Sequence, residues 1–410
     1  MATNIFHLQF ATVVLVLTAI CADGWESCPK KEKGMCSMVL DGTGYACREY
    51  TVETEDGFLL GLQRISPAIE RSNVTKRLPV VLQHGLLQGG DNWVLNFPGQ
   101  SLGFILADEG FDVWIANGRG TRWSHGHRRY SKHDRRYWDW TWDELAQYDL
   151  PALFEFIMTA TGSKVFYVGH SQGTITGLAS FTHQAVTDML AAAALLSPIS
   201  YLDHISSKFI NNAALYHIDI LVKSMGFREF NVRNEVGVQL MDRVCQEIDC
   251  RDLLATITGP NCCFNRTRIP YYLQFEPHST SLKNLAHLAQ MIRRGTFCKY
   301  DYGYLGNLQH YQSLFPPAYD LTAIPRSLPL WMAYGDNDAL ADPVDVLRTV
   351  KQLRRKPEIV VLPDYGHLDF IFSINAKGDL YDSMIAFFRS HADRCEQDIT
   401  QVTRVPESSV

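Results

Sequence analysis

Short, mostly apolar runs alternate along the chain with longer stretches whose apolar residues recur at helical spacing. Pro79–Gln83, Phe111–Ala116, Lys164–Val168, Ala191–Leu196, Leu328–Tyr334 and Glu358–Leu362 predict strands. Being apolar on both faces, they fit buried parallel strands better than half-exposed antiparallel ones. Ser101–Glu109, Trp142–Thr161 and Gly173–His183 predict helices between them. The alternation predicts a doubly wound α/β fold with a mostly parallel central sheet. Residues 201–322, between the fourth and fifth runs, hold helix-like patches but few strand runs. A stretch of that length is too long for a loop and predicts an inserted, mainly helical cap, splitting the core into residues 23–200 and 323–395. Residues 396–410 form a polar tail that is expected to fray. Within the cap, Val232, Val236, Leu240, Val244, Ile248, Leu253 and Leu254 interleave with charged residues, an amphipathic pattern that fits equally a cap helix packed on the core and a lid.

The N-terminus changes the picture of the compartment. Phe10–Ile20 is apolar and is followed by small residues at Ala22 and Gly24, the form of a signal peptide over residues 1–22. Eleven apolar residues are too few to span a bilayer, which takes about 20, so no transmembrane anchor is expected. The predicted location is secreted or within an endomembrane lumen, vacuole- or lysosome-like compartments included. Two glycosylation sequons, at Asn73 and Asn265, agree with that route. The 410 residues are 46% hydrophobic and 20% charged, a composition that excludes a disordered chain. A formal charge of −6 gives no general grip on nucleic acid. Ten cysteines include Cys28, Cys36 and Cys47 near the start and Cys245, Cys250, Cys262 and Cys263 in the insertion. These lack the paired knuckles of a zinc site and fit disulfides better. Loss of Cys21 with the leader leaves an odd number, with Cys298 or Cys395 as the free thiol.

The chemistry gathers at predicted strand ends. Lys164–Val168 runs into Gly169-His170-Ser171-Gln172-Gly173 and then a helix, a G-x-S-x-G elbow in strand–turn–helix context. Serine is a poor nucleophile without a base oriented by an acid, and on such sheets these follow in the order Ser, Asp or Glu, His. Downstream, one strand ends in Gly335-Asp336-Asn337-Asp338 and the next in Asp364-Tyr365-Gly366-His367. Ser171, Asp338 and His367 are the candidate catalytic residues, with Asp336 a rival acid. Asp342, before Pro343, looks like a helix N-cap. An oxyanion hole needs two backbone N–H groups. Gln172 follows the nucleophile, and Leu86 follows the early strand in His84-Gly85-Leu86-Leu87, where His84 would shape the loop. The stretch Arg119–Arg136 is dense in Arg, Lys and His and reads as a solvated loop. His125, His127 and His133 lack the carboxylates or thiols of a metal site. No G-x-G-x-x-G or phosphate-binding loop is present, so no cofactor is implied.

Several blocks together resemble the acid lipase family of gastric and lysosomal lipases and their plant relatives. They are Asp56-Gly57-Phe58-Leu59-Leu60, Leu82–Leu87, Gly118-Arg119-Gly120, Tyr148-Asp149-Leu150-Pro151, Val168–Gly173, Leu340-Ala341-Asp342 and Gly366–Phe370. Gly120–His127 resembles the plant branch more than the animal one. The similarity runs from about Cys36 to Phe388. It implies an α/β-hydrolase fold with a cap and lid, and Ser171, Asp338 and His367 as triad. It also implies Leu86 and Gln172 as oxyanion hole, no metal or organic cofactor, and a lipid ester, triacylglycerol foremost, met at a lipid–water interface. Steryl esters, other lipid esters and acyl transfer stay open, as does a non-catalytic binding protein on the same fold. The close spacing of Cys245 and Cys250, together with Cys28 and Cys262-Cys263, departs from the animal pattern.

Overall fold

The computed structural model describes residues 34–67, 77–231 and 250–402. The leader at 1–22, Cys28, Asn73, Cys245 and most of the amphipathic cap stretch, residues 232–249, lie outside the described residues.

The core strands are β1 (Tyr45–Glu53), β2 (Phe58–Pro67), β3 (Pro79–Gln83), β4 (Asp112–Ala116), β5 (Gly126–His127), β6 (Val165–His170) and β7 (Leu190–Leu196). The insertion adds β8 (Glu229–Phe230) and β9 (Thr280–Ser281), and the core resumes with β10 (Leu330–Gly335) and β11 (Glu358–Leu362). The main sheet has the order β1-β2-β4-β3-β6-β7-β10-β11, with β5 against β2. From β4 to β11 all neighbours are parallel. β1, β2 and β4 pair antiparallel, so the predicted parallel sheet carries an antiparallel edge that the apolar runs did not announce. β11, expected to be buried, is the opposite edge: Glu358, Ile359 and Val361 are exposed. Its apolar run fits because one side of the ladder pairs with β10 while its side chains are only half covered.

Side chains alternate across a strand, and the sheet sorts them into two cores. Val81, Trp114 and Tyr167 join one core with Leu153, Phe154 and Leu178. Val80, Leu82, Val113, Ile115, Phe166 and Val168 join the other with Phe104, Leu106 and Phe388. The first face is covered by helices α2 (Leu150–Thr161) and α3 (Gln172–Ser180), the second by α1 (Leu102–Asp108) and the terminal helix Asp382–Val402. That last helix continues through Val402, past the boundary expected for a frayed tail. The predicted helix over Trp142–Thr161 is interrupted by a wide turn at Leu145–Asp149, which carries Asp149 into the interior. It starts at a Thr141–Glu144 capping box and ends at Gly162, whose φ of 65° suits a residue without a Cβ.

Among the described residues between β7 and β10 the regular structure is mainly helical: α4 (Lys208–Leu215), α5 (Ile218–Ser224), α6 (Cys250–Thr258), α7 (Leu282–Arg294) and α8 (Gly303–Tyr311). After β10, α9 (Pro343–Gln352) is capped by Asp342, which accepts from the Val344 amide, with Pro343 at its first position. Disulfides join Cys36 to Cys47 and Cys262 to its neighbour Cys263, while Cys298 is a half-buried free thiol. No described helix is long and apolar enough to cross a membrane.

Candidate active site

The position of the candidate nucleophile is set by the backbone. Ser171 sits between β6 and α3 with φ 54° and ψ −118°, a region that a residue with a Cβ rarely occupies. Its amide donates to the Leu196 carbonyl at 3.1 Å, holding the turn against β7. Such a strained turn lifts the hydroxyl out of the strand and is kept because the packing on both sides over-determines it. Gly85 shows how closely the neighbouring loop approaches: a Cβ there would stand 2.9 Å from the Ser171 Cβ.

Ser171 Oγ lies 2.7 Å from His367 Nε2, and His367 Nδ1 lies 2.9 Å and 3.0 Å from the two oxygens of Asp338. All three are buried, at 8% exposure or less. Burial opposes the charge on Asp338, but His367 and the amides of Ala341 and Leu340 outweigh it and hold the carboxyl below its usual range. Asp336, the rival acid, is exposed at the end of β10 and makes no contact with His367 among the described residues. The loop carrying His367 is fastened from the insertion. The Thr258 carbonyl accepts the His367 amide, Asn261 Oδ1 accepts the Leu368 amide, and Asp369 accepts the amides of Gly366, Cys262 and Cys263.

The candidate oxyanion donors fall on either side of Ser171. The Gln172 amide opens α3, and its side chain accepts from Asn284 Nδ2 on α7 at 2.8 Å. Leu86 lies in the loop after β3, followed by Leu87 at φ 59°. That loop is braced from several directions. Gln88 Oε1 accepts the Gly85 amide at 2.9 Å and lies 3.1 Å from His170 Nδ1. His170 Nε2 lies 3.0 Å from the carbonyl oxygen of His367. The Leu87 carbonyl accepts the His278 amide at 2.8 Å, and His278 Nε2 lies 3.1 Å from buried Asp91. His84 ties the Gly85 carbonyl to the Gly118 amide, at 2.8 Å and 2.9 Å. Burial pushes its imidazole down to about 4, so it is neutral near pH 7 and bridges as donor at one nitrogen and acceptor at the other. It shapes the loop, as its place in the sequence suggests.

Arg119 corrects the expectation of a solvated basic loop. Its guanidinium is fully buried, over the Phe58 ring, and meets Asp149 at 2.5 Å and Asp56 at 2.6 Å. Arg128 and Arg136 do pair at the surface, with Glu53 and Asp134. His125 and His127 bond to local backbone, and the described metal-type cluster nearest this loop is Asp91, Glu276 and His278 instead. Asn265 is half-buried, its Oδ1 accepting from Thr267. Sequence reasoning did not single out Gln88, Asn284 or Asp369 as supports of the site. Asp369 stood in a quoted block, while Gln88 and Asn284 had no local signal.

A serine raised on an elbow, with a histidine and a buried aspartate from successive strand ends of a parallel sheet, defines an α/β-hydrolase. Comparison with known proteins agrees and narrows the class. A family model described as a partial alpha/beta-hydrolase lipase region matches residues 36–97, and one described as alpha/beta hydrolase fold matches residues 79–225. Triacylglycerol lipase 1 of Arabidopsis thaliana is 48% identical over 357 residues, covering 87% of this chain and 90% of the relative. Gastric triacylglycerol lipase of Bos taurus is 36% identical, with 85% and 90% covered. A soluble variant of monoglyceride lipase from Saccharomyces cerevisiae shares the fold, with a TM-score of 0.53 at 15% identity over 89% of this chain and 99% of the other. The chain belongs to the acid lipase family, on its plant side, and is a carboxylic ester hydrolase.

Proposed function

We propose that this lipase cleaves triacylglycerol to a fatty acid and a diacylglycerol through an acyl-enzyme on Ser171. The observation that carries the reading is the 2.7 Å contact of Ser171 Oγ with His367 Nε2, backed by Asp338. His367 takes the hydroxyl proton as Ser171 attacks the ester carbonyl, Asp338 stabilises the resulting imidazolium, and the Leu86 and Gln172 amides receive the oxyanion. His367 then returns the proton to the leaving alcohol. Water, activated by the same base, releases the acid. Residues 201–322 act as a cap, and Asn284 is its link to the oxyanion side. The test is oleate release from emulsified triolein and from emulsified cholesteryl oleate by the purified protein. Triolein should be the faster substrate. Turnover of the steryl ester without turnover of triolein would overturn the substrate assignment.

The same reading places the protein in a secretory or endomembrane lumen, without a membrane anchor. It is supported by the apolar leader, the two sequons and the Cys36–Cys47 disulfide, since such bonds persist in oxidising compartments. The mature chain is expected to begin near residues 22–25 and to carry glycan at Asn73 or Asn265. N-terminal sequencing and peptide mapping read both, and a mature protein that still begins at Met1 rules this route out.

A further inference from the structure

The segment from α8 to Tyr319 is built inside out. Its inner side carries a connected polar network. Buried Asn307 accepts the Tyr302 amide at 2.9 Å and donates to Asp301 at 2.6 Å and to the Leu314 carbonyl at 3.1 Å. Tyr311 donates its hydroxyl to the Tyr300 carbonyl, and the Tyr302 ring stacks on His310 at 3.9 Å. Asp301 also accepts the Gly303 amide and pairs with Arg294. This network fixes the turn of the hairpin, and Tyr319 anchors its end against Trp142 and Phe297 of the core. Its apolar residues stand outside: Leu305 is 84% exposed, Tyr304 66%, Phe315 64%, and Leu308 and Leu314 about half. Tyr304 and Phe315 meet edge to face at 5.8 Å, which makes the first turn of α8 and the returning chain one continuous apolar face.

The charge pattern says what covers that face. Residues 302–319 contain no Asp, Glu, Lys or Arg, where the chain-wide charged fraction of 20% would place three or four. Protein partners are ordinarily met with Arg enriched among the aromatic anchors, and an anionic bilayer with Lys or Arg beside the apolar residues. A face with neither suits an uncharged oil. The hairpin is also tied to the catalytic centre. Tyr302 receives a hydrogen bond from Lys283 at 3.0 Å, and the next residue, Asn284, donates to Gln172.

We infer that Tyr304, Leu305, Leu308, Leu314 and Phe315 form a preformed docking surface for neutral lipid, on which the enzyme settles before an ester enters the site. This rests on the lipase reading and adds where the oil phase is met. The test uses two separate readouts. Adsorption to a triolein emulsion is measured by flotation, on a Ser171→Ala background so that the oil is not consumed. Turnover of dissolved p-nitrophenyl butyrate is measured on the active protein. Leu305→Ser and Phe315→Ser should each weaken adsorption by about tenfold, the scale of withdrawing one large apolar side chain from oil. Their turnover of the dissolved ester should match the parent, and Leu347→Ser, which removes an exposed leucine from α9, should adsorb normally. Adsorption unaffected when Leu305→Ser and Phe315→Ser are combined in one double variant, or weakened equally by Leu347→Ser, overturns the surface. So does a parent dimer that the double variant dissociates, or binding that follows phosphatidylserine content and collapses in salt. A protein that adsorbs in the expected pattern yet hydrolyses neither ester counts against the lipase reading and leaves the surface standing.

Discussion

Ser171→Ala is expected to lower hydrolysis of a dissolved ester by about 10⁵–10⁶-fold while the protein stays folded, and His367→Ala by nearly as much, because triad members act as a unit. The scale follows from what each supplies. Without Ser171 there is no atom to carry the acyl group, and without His367 no group 2.7 Å from the hydroxyl can take its proton. Asp338→Asn keeps the shape but offers the wrong partner to the imidazole Nδ1–H, and should cost on the order of 10⁴. Asp336→Asn should leave the rate near that of the parent, since Asp336 faces solvent. Initial rates on p-nitrophenyl butyrate, with fluorophosphonate labelling to count competent sites, separate these outcomes. Full activity in Asp338→Asn with loss in Asp336→Asn would reverse the acid assignment.

Arg119→Ala is expected to destabilise the fold by about 3–5 kcal/mol, the usual result of removing one partner from a buried ion pair. Most domains have only about 5–15 kcal/mol in total, so the urea midpoint should fall sharply at an unchanged slope. The cause is specific: Asp149, whose carboxyl burial already pushes up, would be left almost wholly buried beside Asp56 without its cation. Arg119→Lys should recover only part of the loss, because an ammonium cannot reach two carboxylates as the planar guanidinium does. Arg119→Met with Asp149→Asn should be milder than Arg119→Ala, since the stranded charge is gone. An unchanged midpoint in Arg119→Ala would show that the cluster contributes nothing net. Activity should fall as well. Gly118, next to Arg119, donates to His84, and His84 holds the Gly85 carbonyl in the loop that carries the proposed donor Leu86.

Much of this was legible because it is local. A buried parallel strand is written as a continuous apolar run, and the elbow as glycines around a serine, so β3, β4, β6, β7 and β10 and the strained turn at Ser171 could be placed from sequence. Asp338 and His367 followed from their order and from standing where strands end. The antiparallel edge was not legible. Tyr45–Glu53 mixes Arg48, Glu49 and Glu53 with apolar residues, because much of β1 is open to solvent. The fate of Arg119 was equally hidden. Its partners lie 63 and 30 residues away, and only the fold brings three quoted sequence blocks to one point. Cys262 and Cys263 carried no sign that they would pair with each other rather than with a distant thiol.

The ring of His170 lies between two acceptors, Gln88 Oε1 on one side and the His367 carbonyl on the other. The Gly85 amide fixes which way the Gln88 side chain faces, so turning that amide over cannot supply a donor. Burial, with His367 close by, pushes His170 down to about 3, and across the working range the ring is neutral with a single N–H. One proton thus has two claimants. When it resides on Nδ1 the ring fastens the loop after β3, and when it resides on Nε2 it fastens the loop that carries His367. The loop after β3 and the His367 loop share one latch, and its tautomer decides which of them is gripped.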